Sequence, residues 1–155
     1  MKLKRVVGAV CAAVLLIGIL AGCSVTGTEP IPKEMDEQVL LTDGEVVVNL
    51  LLNGEYEAVV ELLREDIRNG GEKPILAEDI ETLMQLAAPE TVGTFVEISD
   101  TSTMGKSDPE PQGIALFKCE YTEYEVVFGI AFDPEMNLIG ISIAHNNTTS
   151  VQQEE

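Results

Sequence analysis

Cys119, Tyr121, Tyr124, Asp133 and His145 are the side chains in the C-terminal half of this 155-residue chain whose types invite a chemical reading. A reactive thiol needs a nearby cation or a helix start to lower its pKa. Lys118 adjoins Cys119, but neighbours along a strand point to opposite faces. Cys119 therefore reads as a small buried hydrophobe. His145 is the one histidine of the chain. As a general base it would need an oriented partner and a pocket, and its place after the last strand suits a strand-end cap or a solvent-facing ring. Asp133 precedes Pro134 and fits the first position of a turn, where a short carboxylate accepts a backbone N–H. Tyr121 and Tyr124 flank a turn, where they can line the mouth of a hollow or cover a sheet edge. Cys119, Tyr121, Tyr124 and His145 form the candidate pocket set, and no residue is assigned as catalytic.

Carboxylates gather at Glu34, Asp36 and Glu37, at Glu78, Asp79 and Glu81, and at Asp108 and Glu110. Oxygen ligands suit calcium, but none of these groups has the loop pattern of a helix-loop-helix calcium site. Acidic residues at a helix start complement the helix dipole instead. With three Cys and one His, a haem, zinc or iron–sulfur centre built from such clusters is almost excluded. No cofactor and no metal is expected. Gly70-Gly71 lacks the Gly-Lys-Ser/Thr completion of a phosphate-binding loop.

The thiol with the clearest chemistry lies near the start. Lys2, Lys4 and Arg5 precede an uncharged apolar run from Val6 to Ala21, 16 residues long. That charge-then-apolar order fits a signal peptide, and a spanning helix needs roughly 20 residues. The run ends in Leu20-Ala21-Gly22-Cys23-Ser24, which resembles a bacterial lipobox. The resemblance implies cleavage between Gly22 and Cys23 and lipid on the thiol and amine of Cys23. It also implies a protein held at the extracytoplasmic face of the cell membrane. One fatty chain anchors marginally, and two or three anchor stably. Cys11 lies inside the apolar run and would be discarded with it.

Charge narrows the partners. The chain has 27 acidic and 9 basic residues, a net charge of −18. Cleavage before Cys23 removes Lys2, Lys4 and Arg5 and no acid, leaving 133 residues with a net charge of −21. Such a body will not bind nucleic acid or an anionic bilayer through bulk charge. Cys119 would be the one unmodified cysteine, so packing must hold the fold without a disulfide.

Residues 1–22 thus read as a signal peptide, 23–35 as a flexible tether, 36–145 as a single α+β domain and 146–155 as a polar tail. Pro30 and Pro32 discourage helix in the tether. A spacer of about 12 residues reaches up to ~40 Å when extended. Leu40, Leu41, Gly44, Val48, Leu51 and Leu52 recur at helical spacing and predict a helix from Met35 to Leu52, stopped by Asn53-Gly54. Tyr56, Val59, Val60 and Leu63 predict a second helix that ends before Gly70-Gly71. Ile80, Leu83, Met84 and Ala87 predict a third over Ala77 to Ala88. The period then changes. Strands are expected at Thr94–Ile98, Ile114–Tyr121, Tyr124–Phe132 and Leu138–Ala144, with Asp100 to Gln112 a long polar loop. Short turns between the later strands imply an antiparallel meander. Helices followed by strands argue for α+β.

The stretches Leu52-Asn53-Gly54-Glu55-Tyr56-Glu57-Ala58-Val59-Val60, Val92-Gly93-Thr94-Phe95, Phe117-Lys118-Cys119-Glu120-Tyr121, Val127-Phe128-Gly129-Ile130-Ala131-Phe132-Asp133 and Leu138-Ile139-Gly140-Ile141 resemble a bacterial domain-of-unknown-function family of exported lipoproteins. That family is similar to the nuclear transport factor two-like (cystatin-like) superfamily. The resemblance covers Glu37 to Ile143 and implies a cone, with three helices packed on a curved sheet of about four strands. It supplies no catalytic residues. The expected role is noncatalytic, the binding of a small ligand or a protein by a membrane-anchored domain. The alternatives are a small isomerase- or hydrolase-like enzyme in the same cavity, and a structural homodimer formed through the outer sheet face.

Overall fold

The computed structural model describes residues 29–146. The signal segment, Cys11, Gly22, Cys23, the first part of the tether and the tail beyond Asn146 lie outside the described residues.

Asp36 starts the first helix, α1 (Glu37–Leu52), by accepting hydrogen bonds from the N–H groups of Gln38 and Val39 at 2.9 and 3.0 Å. Such a cap satisfies donors that have no partner inside the helix. Leu40, Gly44, Val47, Val48 and Leu51 form its buried stripe. Three consecutive valines lower the intrinsic helix propensity, so packing of that stripe holds the helix. Gly54 then takes φ +73°, the left-handed conformation that ends it.

The second predicted helix is in fact two, α2 (Tyr56–Leu62) and α3 (Glu65–Asn69). Leu63 and Arg64 between them are extended, with ψ of 134° and 140°. Tertiary contacts explain the break. Leu63 is buried and bridges to Leu138, and the Arg64 N–H donates to the Leu138 carbonyl at 2.8 Å. Next come α4 (Ala77–Ala87), which buries Ile80, Leu83 and Ala87, and a 3₁₀ turn at Glu90–Val92.

Four strands follow: β1 (Phe95–Lys106), β2 (Gln112–Tyr121), β3 (Glu125–Phe132) and β4 (Leu138–Asn146), antiparallel in the order β1-β2-β3-β4. Much of the expected loop from Asp100 to Gln112 is strand, paired from Asp100↔Lys118 to Lys106↔Gln112. Its polarity reflects an edge strand that is largely solvent-exposed, not a lack of pairing.

The three-helix cone is also corrected. Among the described residues there are four α-helices, and the sheet is open, with β1 and β4 as separate edges. Each strand pairs with its sequence neighbours, and β4 does not pair with β1.

The core lies between helices and sheet. Phe117, Cys119, Val126, Phe128 and Ile130 face Leu40, Val47, Val48, Leu51, Val59, Ile80 and Leu83. At Gly44, α1 comes so close to β2 that an added Cβ would stand 2.8 Å from the Phe117 ring and 2.9 Å from the Ala115 Cβ. A smaller cluster of Ile114, Ala131 and Ile139 lies on the other face, and Ile67 of α3 packs against both clusters.

The two ends of the sheet differ. One end holds the β1–β2 loop and the β3–β4 turn at Asp133–Asn137, since Gly113 pairs with both Gly105 and Phe132. Glu29 docks there. Its carbonyl accepts the Gly105 N–H at 2.7 Å, and its carboxylate accepts the Ser107 hydroxyl at 2.6 Å. Ile31 packs on the core and Met35 is buried, so the described part of the tether lies on the body. The other end holds the β2–β3 turn around Thr122.

Candidate functional site

Arg64 organises the Gly105 end. Leaving the helix after Leu62 aims its side chain at the sheet loops. The guanidinium donates to Asp66 at 2.6 and 2.9 Å, to Glu110 at 2.8 and 3.0 Å, and to Asp133 at 2.9 Å. One cation thus ties α3, the β1–β2 loop and the β3–β4 turn together. The fork geometry of arginine suits such bidentate pairing. Asp133 is only 3% exposed and also accepts the N–H and side-chain amide of Asn137. Burial pushes its carboxyl pKa up, but the bonds from Asn137 and Arg64 outweigh this and hold it below the ordinary 3.8. The Arg64 bond likewise lowers Asp66, and the three carboxylates raise Arg64 further.

The linkage has a definite sign. A carboxylate with a depressed folded pKa adds stability that is present above the unfolded pKa and lost as pH falls through the folded one. Chemical denaturation at a series of pH values should therefore show stability falling as pH drops below about 4. A flat response between pH 6 and pH 3 would contradict this.

Beside the tie lies an open groove of ≈ 950 Å³ bounded by α3, the Gly70–Leu76 loop and the start of α4. Ile67, Pro74, Ile75 and Leu76 make its apolar wall, with Asp66, Glu72, Lys73 and Asp79 as polar lining. Local chemistry sets its shape. The Ile75 N–H donates to the Arg68 carbonyl at 2.8 Å, which closes the loop onto α3. The Asp79 carboxylate accepts the Leu76 N–H at 2.8 Å, which fixes the start of α4. Leu76 stays 57% exposed on that wall. Apolar walls with few charged groups can hold an amphipathic molecule.

The residues singled out from the sequence lie elsewhere. Cys119 is fully buried, and burial pushes its thiol up to about 11. His145 shares its row across the sheet, but Val126 stands between them, a separation of about 9–10 Å at normal strand spacing. His145 Nδ1 lies 2.8 Å from the Ala87 carbonyl at the end of α4. Tyr121 is half-buried, packs edge-on to Phe95 and is pushed up to about 12 by burial, then by Cys119 and Tyr56. Tyr124 is exposed. The four therefore form a row and a rim at the Thr122 end, and none of them lines the groove beside Arg64. Arg64 was not singled out from the sequence. Its signal was slight, a rare base in a very acidic chain. Among the described residues no group of metal-binding side chains could hold an ion, and Asp66, Glu110 and Asp133 converge on a guanidinium instead.

The raised thiol gives a direct check. In a chain carrying Cys11→Ala and Cys23→Ser, native Cys119 should react with a thiol reagent at pH 8 roughly 100-fold more slowly than a free thiol. Unfolding should restore the normal rate. Fast labelling of the native chain would refute its burial.

Fold and site together describe a small α+β domain with an open antiparallel meander. A solved NMR structure of a protein from Ruminococcus gnavus is similar to it, with a TM-score of 0.60 at 18% identity, over 74% of this chain and 96% of that one. At that identity the likeness concerns the fold alone. No protein-family model matches the chain, and a search of curated proteins also finds no match.

Proposed function

We propose that this chain is a lipid-anchored extracytoplasmic binding domain that holds a small amphipathic molecule in the α3–α4 groove and carries out no reaction on it. The groove is the observation behind this reading, an open concavity with an exposed leucine on an apolar wall and charged groups in its lining. The anchor rests on Leu20-Ala21-Gly22-Cys23-Ser24. The noncatalytic part draws support from the other contacts. Cys119 is buried in the core, Asp133 is held by Arg64 and Asn137, and His145 is held at the end of α4. None of the three borders the groove. Among the described residues no helix is long and apolar enough to cross a membrane.

The test uses a fluorescent zwitterionic lysophospholipid as probe. The native chain should bind it saturably. Leu76→Asp adds charge at an exposed site and should weaken binding at least about 10-fold, from lost apolar burial and desolvation of the new carboxylate, with thermal stability little changed. Equal binding by both chains, or none by the native chain, would defeat the groove reading.

A further inference from the structure

We infer that the Gly105 end of the sheet faces the bilayer on a short leash, so that the Thr122 end points away from the membrane. The inference rests on the lipid anchor at Cys23 proposed above and adds an orientation to it. Glu29 is fixed to the body by the Gly105 N–H and the Ser107 hydroxyl, and Pro30 runs so close to Gly105 that an added Cβ would collide with its carbonyl. Only residues 24–28 then separate an acylated Cys23 from that dock. The six peptide steps from position 23 to 29 reach at most about 20 Å, half the span of the tether expected from sequence. β2 runs ten residues away from that dock, or about 30 Å at the usual rise. The leash is therefore shorter than the sheet, and the body cannot turn end over end at the surface.

Charge does not supply this contact. Lys33, Arg64 and Lys106 are outnumbered near the dock by Glu29, Glu34, Asp36, Glu37, Asp108 and Glu110. The bilayer contact is thus geometric, imposed by the anchor on a body whose charge opposes an anionic surface. The Arg64 tie and the start of α4 lie at the same end, since the other end of α4 meets His145. The groove consequently opens on the membrane-side half of the body, where an amphipathic molecule leaving the bilayer would meet it first.

The test uses natively acylated protein in vesicles of phosphatidylethanolamine and phosphatidylglycerol that contain a rhodamine lipid as acceptor. Donor dyes are placed at Asp108→Cys or Glu123→Cys, both in exposed loops, while Cys119 stays buried. Energy transfer from position 108 should exceed that from position 123 several-fold. Inserting a twenty-residue Gly/Ser linker between Thr28 and Glu29 should bring the two values together. Equal transfer in the unextended chain, or stronger transfer from 123, would overturn the orientation. Failure of the protein to float with the vesicles would instead sink the anchor itself, and the orientation with it.

Discussion

Arg64→Met should lower unfolding stability by about 3 kcal/mol, or about 12 °C in melting temperature for a domain of this size. Methionine keeps much of the apolar stem, so the loss measures the tie. Its removal leaves Asp133, only 3% exposed, with Asn137 as its one remaining partner, and frees Glu110 and Asp66. A buried carboxylate stripped of its cation is costly, and the figure is set at the low end because the Arg64 side chain is itself 23% exposed. Asp133→Asn keeps the Oδ1 contacts with Asn137, loses the one at Oδ2 and removes the charge. The double variant Arg64→Met, Asp133→Asn should therefore be more stable than the two single losses predict, with a coupling of about 1–2 kcal/mol. The pH response should also flatten. Without Arg64 one of the groups that hold the Asp133 carboxyl down is gone, so the variant loses less stability than the native chain as pH falls. Strict additivity would show that the ion cluster is ornamental.

Gly44→Leu should cost about 3 kcal/mol despite the better helix propensity of leucine. A glycine inside α1 is worth roughly 1 kcal/mol less than alanine by propensity alone, so its presence needs a packing reason. That reason is the crossing of α1 over β2, where a Cβ would meet Phe117 at 2.8 Å and Ala115 at 2.9 Å. Both neighbours are fully buried, and the Ala115 methyl has no rotamer with which to move aside. The helix would have to lift off the sheet. Phe117→Ala alone should cost about 3–5 kcal/mol by leaving a cavity. Gly44→Ala placed in that background should cost clearly less than in the native chain, because the ring is gone and only the Ala115 methyl still stands in its way. A Gly44→Ala cost that is the same in both backgrounds would refute the crossing geometry.

Both effects depend on contacts between residues far apart in the chain, which is also where the sequence was hardest to read. The apolar stripes of α1 and α4 and the alternation in β2 and β3 depend on local periodicity, and their positions agree with the structure within a few residues. The break at Leu63-Arg64 does not. Arg64 reaches Glu110 and Asp133 across 46 and 69 residues, and no local pattern announces such a tie. β1 hid for a different reason. An exposed edge strand rich in Ser and Thr has the composition of a loop, and only its pairing with β2 distinguishes it. Of the groove, Gly70-Gly71 and Pro74 were legible as chain breaks. Their role as one wall of a concavity depends on the Ile75–Arg68 bond that folds the loop back. The cone came from a resemblance in short structural stretches, which specify strands and turns but not how far a sheet bends.

The proposed function depends most directly on what happens to Cys23, and intact-mass analysis of protein extracted from membranes tests it. A chain beginning at Cys23, heavier than its polypeptide by a diacylglyceryl group with or without an amide-linked acyl chain, is the expected result. An unmodified chain still beginning at Met1 and recovered from the cytosol would contradict the anchor, the leash and the membrane-side groove together.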